Sequence, residues 1–537
     1  MSQPAAFDVA IVGAGFSGLY LLHKMRALGL TARVYEAGGG VGGTWYWNRY
    51  PGARVDIVSH EYSYSFSPEL EDDWAWSERY ATQPELLKYL NHVADRFDLR
   101  RDIQFNTKVV SAHFDDAAGR WTVATDGGET LSARYCVMAL GTLSVTKEID
   151  IPGVESFKGA AYHTGQWPHE PVDFTGKRVG VIGTGSSAIQ TIPVIAEQAA
   201  SLHVFQRTPN YTVPAYNGPP EPEVLADWKA NRTERRAAER VQPVGMLFWD
   251  QSESLAVEMT PEERETALQD RWNRGGFAMG GTFADTAIDA AANAVSADFV
   301  ARKIRAIVKD PVVAEKLVPK TFPFSTKRMC VDTNYYATFN RPNVTLVDLK
   351  EEPIAAITPT GIRTSAHDFA FDAIVYATGF DAMTGPLGRI DVRGRGGLAL
   401  KEKWTEGPKT YLGLTVAGFP NMFVVTGPGS PSVLSNMVVS IEQHVDWISD
   451  CLAWMGARQQ SVIEATPEAE DAWVAHVNEL AEPTLYVKAN SWYMGANVPG
   501  KPRVFMPYVG GVGVYREKCD EVAANGYEGF AVSAVGA

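Results

Sequence analysis

The chain has 537 residues, 45% hydrophobic and 21% charged, with a formal net charge of −14. That length is several times an ordinary domain and implies two or three domains around well-buried cores. The acidic balance disfavours nucleic acid and anionic membrane surfaces, both of which need a basic face, and points to small molecules as partners.

Four cysteines, Cys136, Cys330, Cys451 and Cys519, stand far apart with no Cys-x-x-Cys pair. This removes the simplest zinc and redox-disulfide readings and suits a reducing cytoplasm; no metal site is expected. The apolar run from Val9 to Leu22 is broken by Gly13, Gly15 and Gly18. It reads as strand, turn and helix rather than as a leader or membrane span.

Phe7 to Val12 is short, apolar and β-branched, as a strand buried on both faces requires. The loop Gly13-Ala14-Gly15-Phe16-Ser17-Gly18 follows, then a helical pattern from Leu19 to Gly29 and a second strand from Thr31 to Tyr35. Glu36 closes the unit, 23 positions after Gly13. In such a unit glycines let backbone amides approach a pyrophosphate, and the acid accepts ribose hydroxyls. The stretch from Gly42 to Asp56 is aromatic and glycine-rich, with no helical or strand period. Asp56 lies in an apolar setting and needs a cation, because an unpaired buried charge is costly.

The segment from Phe157 to Pro168 connects this unit to a second one. There, Val179 to Ile182 is a strand, Gly183-Thr184-Gly185-Ser186-Ser187-Ala188 a glycine loop, and a helix starts near Ser186. The strand Leu202 to Phe205 ends at Arg207, 24 positions after Gly183. An acid at this place favours ribose hydroxyls and an arginine a 2′-phosphate, so the first unit suits FAD and the second NADP(H).

From Pro219 to about Pro319 the chain is rich in Glu, Arg, Lys and Ala at helical spacing, which predicts a helical insertion with a solvated charged face. Lys327 is a candidate for the 2′-phosphate and Arg328 a candidate partner for Asp56; spacing alone leaves both open. The stretches Met138 to Gly141 and Asp372 to Asp381 look like crossings between units, which places the second unit inside the first. The expected architecture is α/β with two Rossmann-like dinucleotide-binding domains. FAD takes 1–142 and 381–537, NADP takes 143–213 and 326–380, and the helical insertion is 214–325.

The residues from Phe157 onward resemble the fingerprint of Baeyer-Villiger flavin monooxygenases, Phe-x-Gly-x-x-x-His-x-x-x-Trp followed by Pro or Asp. Phe157, Gly159, His163, Trp167 and Pro168 match it, between two glycine loops as that family requires. Gly43, Trp45, Tyr50-Pro51-Gly52 and Asp56 match a second signature. The runs Gly427 to Ser432, Ser435 to Met437 and Ser491 to Arg503 are similar to the same family.

The resemblance implies that NADPH reduces FAD, dioxygen adds to give a peroxyflavin, and a ketone becomes an ester or lactone, with sulfides also oxidised. It implies that Arg328 stabilises the anionic oxygen and that Asp56 holds Arg328. Gly13, Gly15, Gly18, Glu36, Gly43, Thr44, Trp45 and Asp56 would contact FAD. Gly183, Gly185, Ser186, Ser187, Arg207, Thr208 and Lys327 would contact NADP, with Trp492 on a closing loop. Ile57, Leu434 and Met437 would line the ketone pocket, and His163 would couple the units rather than act as a base. The alternative is a related flavin N- or S-monooxygenase, which uses the same cofactors without needing Arg328.

Overall fold

The apolar run near the start of the chain becomes the strand Ala5–Val12, whose last four residues are buried. It pairs in parallel with Ala32–Tyr35 on one side and Thr130–Met138 on the other. A strand so enclosed needs apolar side chains on both faces, which Val9, Ala10, Ile11 and Val12 supply. Val109–Asp115 and Arg120–Thr125 extend the sheet with antiparallel strands. Two further strands, Asp391–Arg393 and Met422–Val424, join it from much later in the chain. The computed structural model describes residues 5–534, so the ends of the expected FAD unit, 1–4 and 535–537, lie outside the described residues.

A second sheet is wholly parallel, in the order Val344–Asp348, Ser201–Gln206, Arg178–Ile182, Ala373–Tyr376, Ala160–His163. All of its strands fall in the chain between Thr130–Met138 and Asp391–Arg393 of the first sheet. The α/β class with one Rossmann-like unit carried inside the other is therefore the observed topology. The connecting segment of the fingerprint is itself the edge strand of this second sheet, with His163 in register with Tyr376.

The two crossings lie side by side. Met383 N–H donates to Thr142 O at 3.0 Å, Asp381 N–H to Val145 O at 2.9 Å, and Lys147 N–H to Gly379 O at 3.1 Å. Tethers bonded to each other restrict rotation of one unit against the other to motions that keep or break these bonds.

The insertion begins and ends at a short parallel pair, Thr212–Pro214 with Cys330–Asp332. Between them run the helices Pro222–Ala230, Arg232–Val241, Pro261–Arg274, Ala290–Ile307 and Pro311–Leu317. Their starts follow local chemistry: Thr260 and Glu263 form a capping box, and Asp289 and Asp310 cap the next two.

Two local expectations change. The stretch after Gly42 holds a helical turn, Thr44–Trp47, because Gly43 at φ 52° turns the chain into it. The charges of the insertion are not all solvated: Arg236 and Glu239 are only 4% and 1% exposed. Spaced three apart on one helix face, they dock onto the segment after Asp56. Arg236 donates to Glu239 at 2.9 Å, to Glu71 at 3.2 Å, to Ser63 Oγ at 2.8 Å and to His60 O at 3.0 Å. Burial raises the Glu239 carboxyl against the pull of Arg236. Removing the cation would leave Glu239 and Glu71 buried without it, at a cost of about 3–5 kcal/mol. Arg236→Ala is thus expected to lower the thermal midpoint clearly, and an unchanged melting curve would contradict this packing.

Candidate active site

The first glycine loop is built by close backbone contact. A Cβ on Gly13, whose φ is +107°, would lie 2.5 Å from Ala139 O, and one on Gly18 would lie 1.8 Å from Gly13 O. The helix Phe16–Ala27 starts at Gly15 with no side-chain cap, so its first amides are free for an anionic group. Gly43 packs against Gly15, where a Cβ would come within 2.9 Å of the Gly15 Cα. Glu36 is buried at the strand end and accepts from Ala14 N–H at 2.8 Å and Gly38 N–H at 2.7 Å. Burial raises its carboxyl above the ordinary range, against the pull of those two donors. Each oxygen keeps a further lone pair, so the carboxylate still suits a ribose. Trp45 is buried beside Tyr62, to whose hydroxyl its indole N–H points at 3.4 Å.

The second loop repeats the construction. A Cβ on Gly183, at φ +118°, would lie 2.3 Å from Ala377 O, whereas Gly185 has nothing within 4 Å and leaves the loop open to approach. The helix Ser186–Gln198 likewise starts with no side-chain cap. Thr184 Oγ1 donates to Thr208 O at 2.8 Å, tying the loop to the segment that bears Arg207. Arg207 is exposed and Lys327 is half-buried. Burial and the nearby Arg207 charge both lower the Lys327 ammonium. Open loops, uncapped helices and an acid at one strand end against a cation at the other fit two dinucleotides.

Asp56 and Arg328 meet where the two units and the insertion converge. Arg328 donates from Nε to Asp56 Oδ2 at 2.9 Å and from Nη2 to Oδ1 at 2.8 Å. Its Nη1 donates to Val433 O at 2.9 Å, and its guanidinium lies 4.5 Å from the centre of the Phe277 ring. Burial alone would weaken the cation, but the Asp56 charge and hydrogen bonds outweigh it and raise Arg328 above its ordinary value. The side chains keep 21% and 27% of their surface accessible, so the pair faces a cleft rather than a sealed core.

The fingerprint residues connect rather than line this cleft. His163 Nδ1 accepts from Gly165 N–H at 3.0 Å, which leaves Nε2 as the N–H facing Thr378 Oγ1 at 3.1 Å. Thr164 Oγ1 and Ser187 Oγ lie 3.1 Å apart, joining the same segment to the second glycine loop. Trp167 stacks on Tyr162 at 5.1 Å. Phe157 fills the space beside Gly159, where a Cβ would lie 2.5 Å from the Phe157 ring. Pro168 follows Trp167 at the end of the motif.

The C-terminal run closes over the crossings. Lys501 Nζ donates to Asp381 Oδ1 at 2.8 Å, and Asn497 Nδ2 to Phe380 O at 2.7 Å. Trp492, Leu434 and Met437 pack half-buried around Val433, Met383 and Tyr493. Ile57 instead lies in the main core at 3% exposure, next to Asp56 in the chain. The sequence reading missed Gln190, which accepts from Tyr50 Oη at 2.8 Å and donates to Arg54 O at 3.1 Å. It also missed the Val433 carbonyl; neither carries a local pattern that could have revealed it.

No helix among the described residues is long and apolar enough to cross a membrane. Residues 6–216 match the flavin-binding monooxygenase-like family model. A Baeyer-Villiger monooxygenase of Pseudooceanicola batsensis is 46% identical over 97% of this chain and 96% of its own. A phenazine N-monooxygenase of Lysobacter antibioticus is 44% identical over 98% and 96%. A solved structure of oxidised steroid monooxygenase bound to NADP is 53% identical, covers 98% of this chain and 100% of its own, and superposes with a TM-score of 0.94. The chain belongs to the flavin-binding monooxygenase-like family, in the group that includes the Baeyer-Villiger monooxygenases.

Burial pushes the His163 imidazole down to about 4. An unfolded histidine titrates near about 6.5, so the neutral ring stabilises the fold fully above that pH. This contribution falls away as pH drops from about 6.5 through about 4. His163→Gln should therefore flatten the pH dependence of the thermal midpoint across that window; parallel curves would contradict the buried neutral ring.

Proposed function

We propose that this protein is an NADPH- and dioxygen-dependent flavin monooxygenase that converts ketones to esters or lactones. The observation that carries the reading is the Asp56–Arg328 pair, fixed at the junction of two dinucleotide-binding units. A guanidinium has five N–H donors. Two are used by Asp56 and one by Val433 O, which leaves one on each Nη for an oxygen that gains negative charge. Donors fixed in this way typically lower a barrier by about 2.7–4 kcal/mol. Asp56 orients the guanidinium, and Phe277 covers its face.

FAD supplies hydride acceptance and oxygen activation when bound, and NADPH supplies the hydride. Gly13, Gly15, Gly18, Glu36, Gly43, Thr44, Trp45 and Asp56 would hold FAD. Gly183, Gly185, Ser186, Ser187, Arg207, Thr208 and Lys327 would hold NADP(H), with Trp492 on the loop that Asn497 and Lys501 clamp down. Leu434 and Met437 would shape the ketone pocket together with Ile57. Phe157, Gly159, His163, Trp167 and Pro168 would pass the position of the NADP unit to the FAD unit. In this reading 1–142 with 381–537 is the FAD domain, 143–213 with 326–380 the NADP domain and 214–325 the helical insertion. The four cysteines are free and buried, which suits a cytoplasmic enzyme.

A second reading, nitrogen or sulfur oxidation, is favoured by the relative named for N-oxidation. The two differ in product, not in cofactor. With NADPH and 18O-labelled dioxygen, a panel of aryl, alicyclic, aliphatic and steroid ketones should yield esters carrying one labelled oxygen. With tertiary amines and sulfides added to the panel, labelled N-oxides or sulfoxides and no ester from any ketone would replace the first reading by the second.

A further inference from the structure

We propose that Lys147 is a third cationic contact to the 2′-phosphate of NADP(H), beside Arg207 and Lys327, and thereby a determinant of preference for NADP over NAD. The inference rests on the dinucleotide reading of the second unit given above. Arg207 follows the carboxyl end of the strand Ser201–Gln206. Lys147 is held at the carboxyl side of Ala373–Tyr376, where its N–H donates to Gly379 O at 3.1 Å. The strand Arg178–Ile182 lies between those two strands, so the Gly183 loop is flanked by Arg207 on one side and Lys147 on the other. Ligands of open α/β sheets bind along this carboxyl edge.

Charge supports the same placement. Lys501 and Arg328 nearby are each paired with a carboxylate. Among the described residues Arg207, Lys327 and Lys147 form no ion pair, although Lys327 and Lys147 are half-buried. The chain carries 63 acidic against 49 basic residues, so unpaired cations gathered at one edge stand out from its overall balance. Burial lowers the Lys147 ammonium and the charge of Arg207 lowers it further. Asp381 is the acid within electrostatic reach of Lys147, and its carboxylate is already engaged by Lys501 at 2.8 Å. A phosphate dianion relieves the repulsion of Arg207 on Lys147 and Lys327 and supplies Lys147 with the partner it lacks.

The test is equilibrium binding of NADP+, NAD+ and 2′,5′-ADP to FAD-loaded protein, by calorimetry, for Lys147→Gln, Lys147→Arg and Arg207→Gln. Lys147→Gln should weaken NADP+ and 2′,5′-ADP about tenfold, leave NAD+ unchanged, and be largely rescued in Lys147→Arg. Equal losses for NADP+ and NAD+, or unchanged NADP+ binding, would overturn the assignment. If Arg207→Gln separates NADP+ from NAD+ and Lys147→Gln does not, only the role of Lys147 fails. If neither separates them, the dinucleotide reading of the second unit fails with it.

Discussion

A carboxylate and a guanidinium held face to face in a partly buried cleft impose a demanding constraint, because each charge is costly there without the other. Asp56 closes the aromatic loop of the first unit, and Arg328 comes where the chain returns from the insertion. Bringing them together requires that the loop, the second unit and the insertion all be in place. Tyr50 and Gln190 fix the loop against the helix of the second glycine unit. The Val433 carbonyl holds the guanidinium from the opposite side. The pair is therefore a product of the whole architecture, and its remaining donors point where no single unit could direct them.

The fingerprint segment gains a physical account from its position. It is the edge strand of the second sheet, and its side chains reach in two directions. Thr164 meets Ser187 of the glycine loop, and His163 meets Thr378 of the second crossing. That crossing continues to Phe380 and Asp381, which receive Asn497 and Lys501 of the C-terminal loop. A continuous series of polar contacts and backbone thus runs from the second glycine loop to the loop bearing Trp492. In such a series a shift of the second unit changes bonds that hold the loop bearing Trp492.

What was legible in the sequence was local. A Cβ on Gly18 would collide with Gly13 O in the same loop, and Gly13 and Gly183 hold φ of +107° and +118°, so the loop itself calls for glycine, while the Ala139 and Ala377 carbonyls that also exclude a Cβ there come from far along the chain. Glu36 and Arg207 stand at strand ends whose spacing follows from one strand, one turn and one helix. Asp56 and Arg328 are 272 positions apart, and nothing in their spacing pairs them. Resemblance to a family implies that pairing, and the two hydrogen bonds show it. The burial of Arg236 has no local signal, because a charge-rich helix resembles a solvated one until its partner surface is known. Lys501 on Asp381 and Gln190 on Tyr50 depend on the same long-range packing.

In the proposed function Arg328 serves oxygen transfer rather than hydride transfer, and rapid mixing of Arg328→Ala separates the two. NADPH is expected to bleach the flavin absorbance at nearly the wild-type rate while ester yield from a good ketone falls by about 10²–10³. Ester formation at the wild-type level, or a loss confined to flavin reduction, would contradict it.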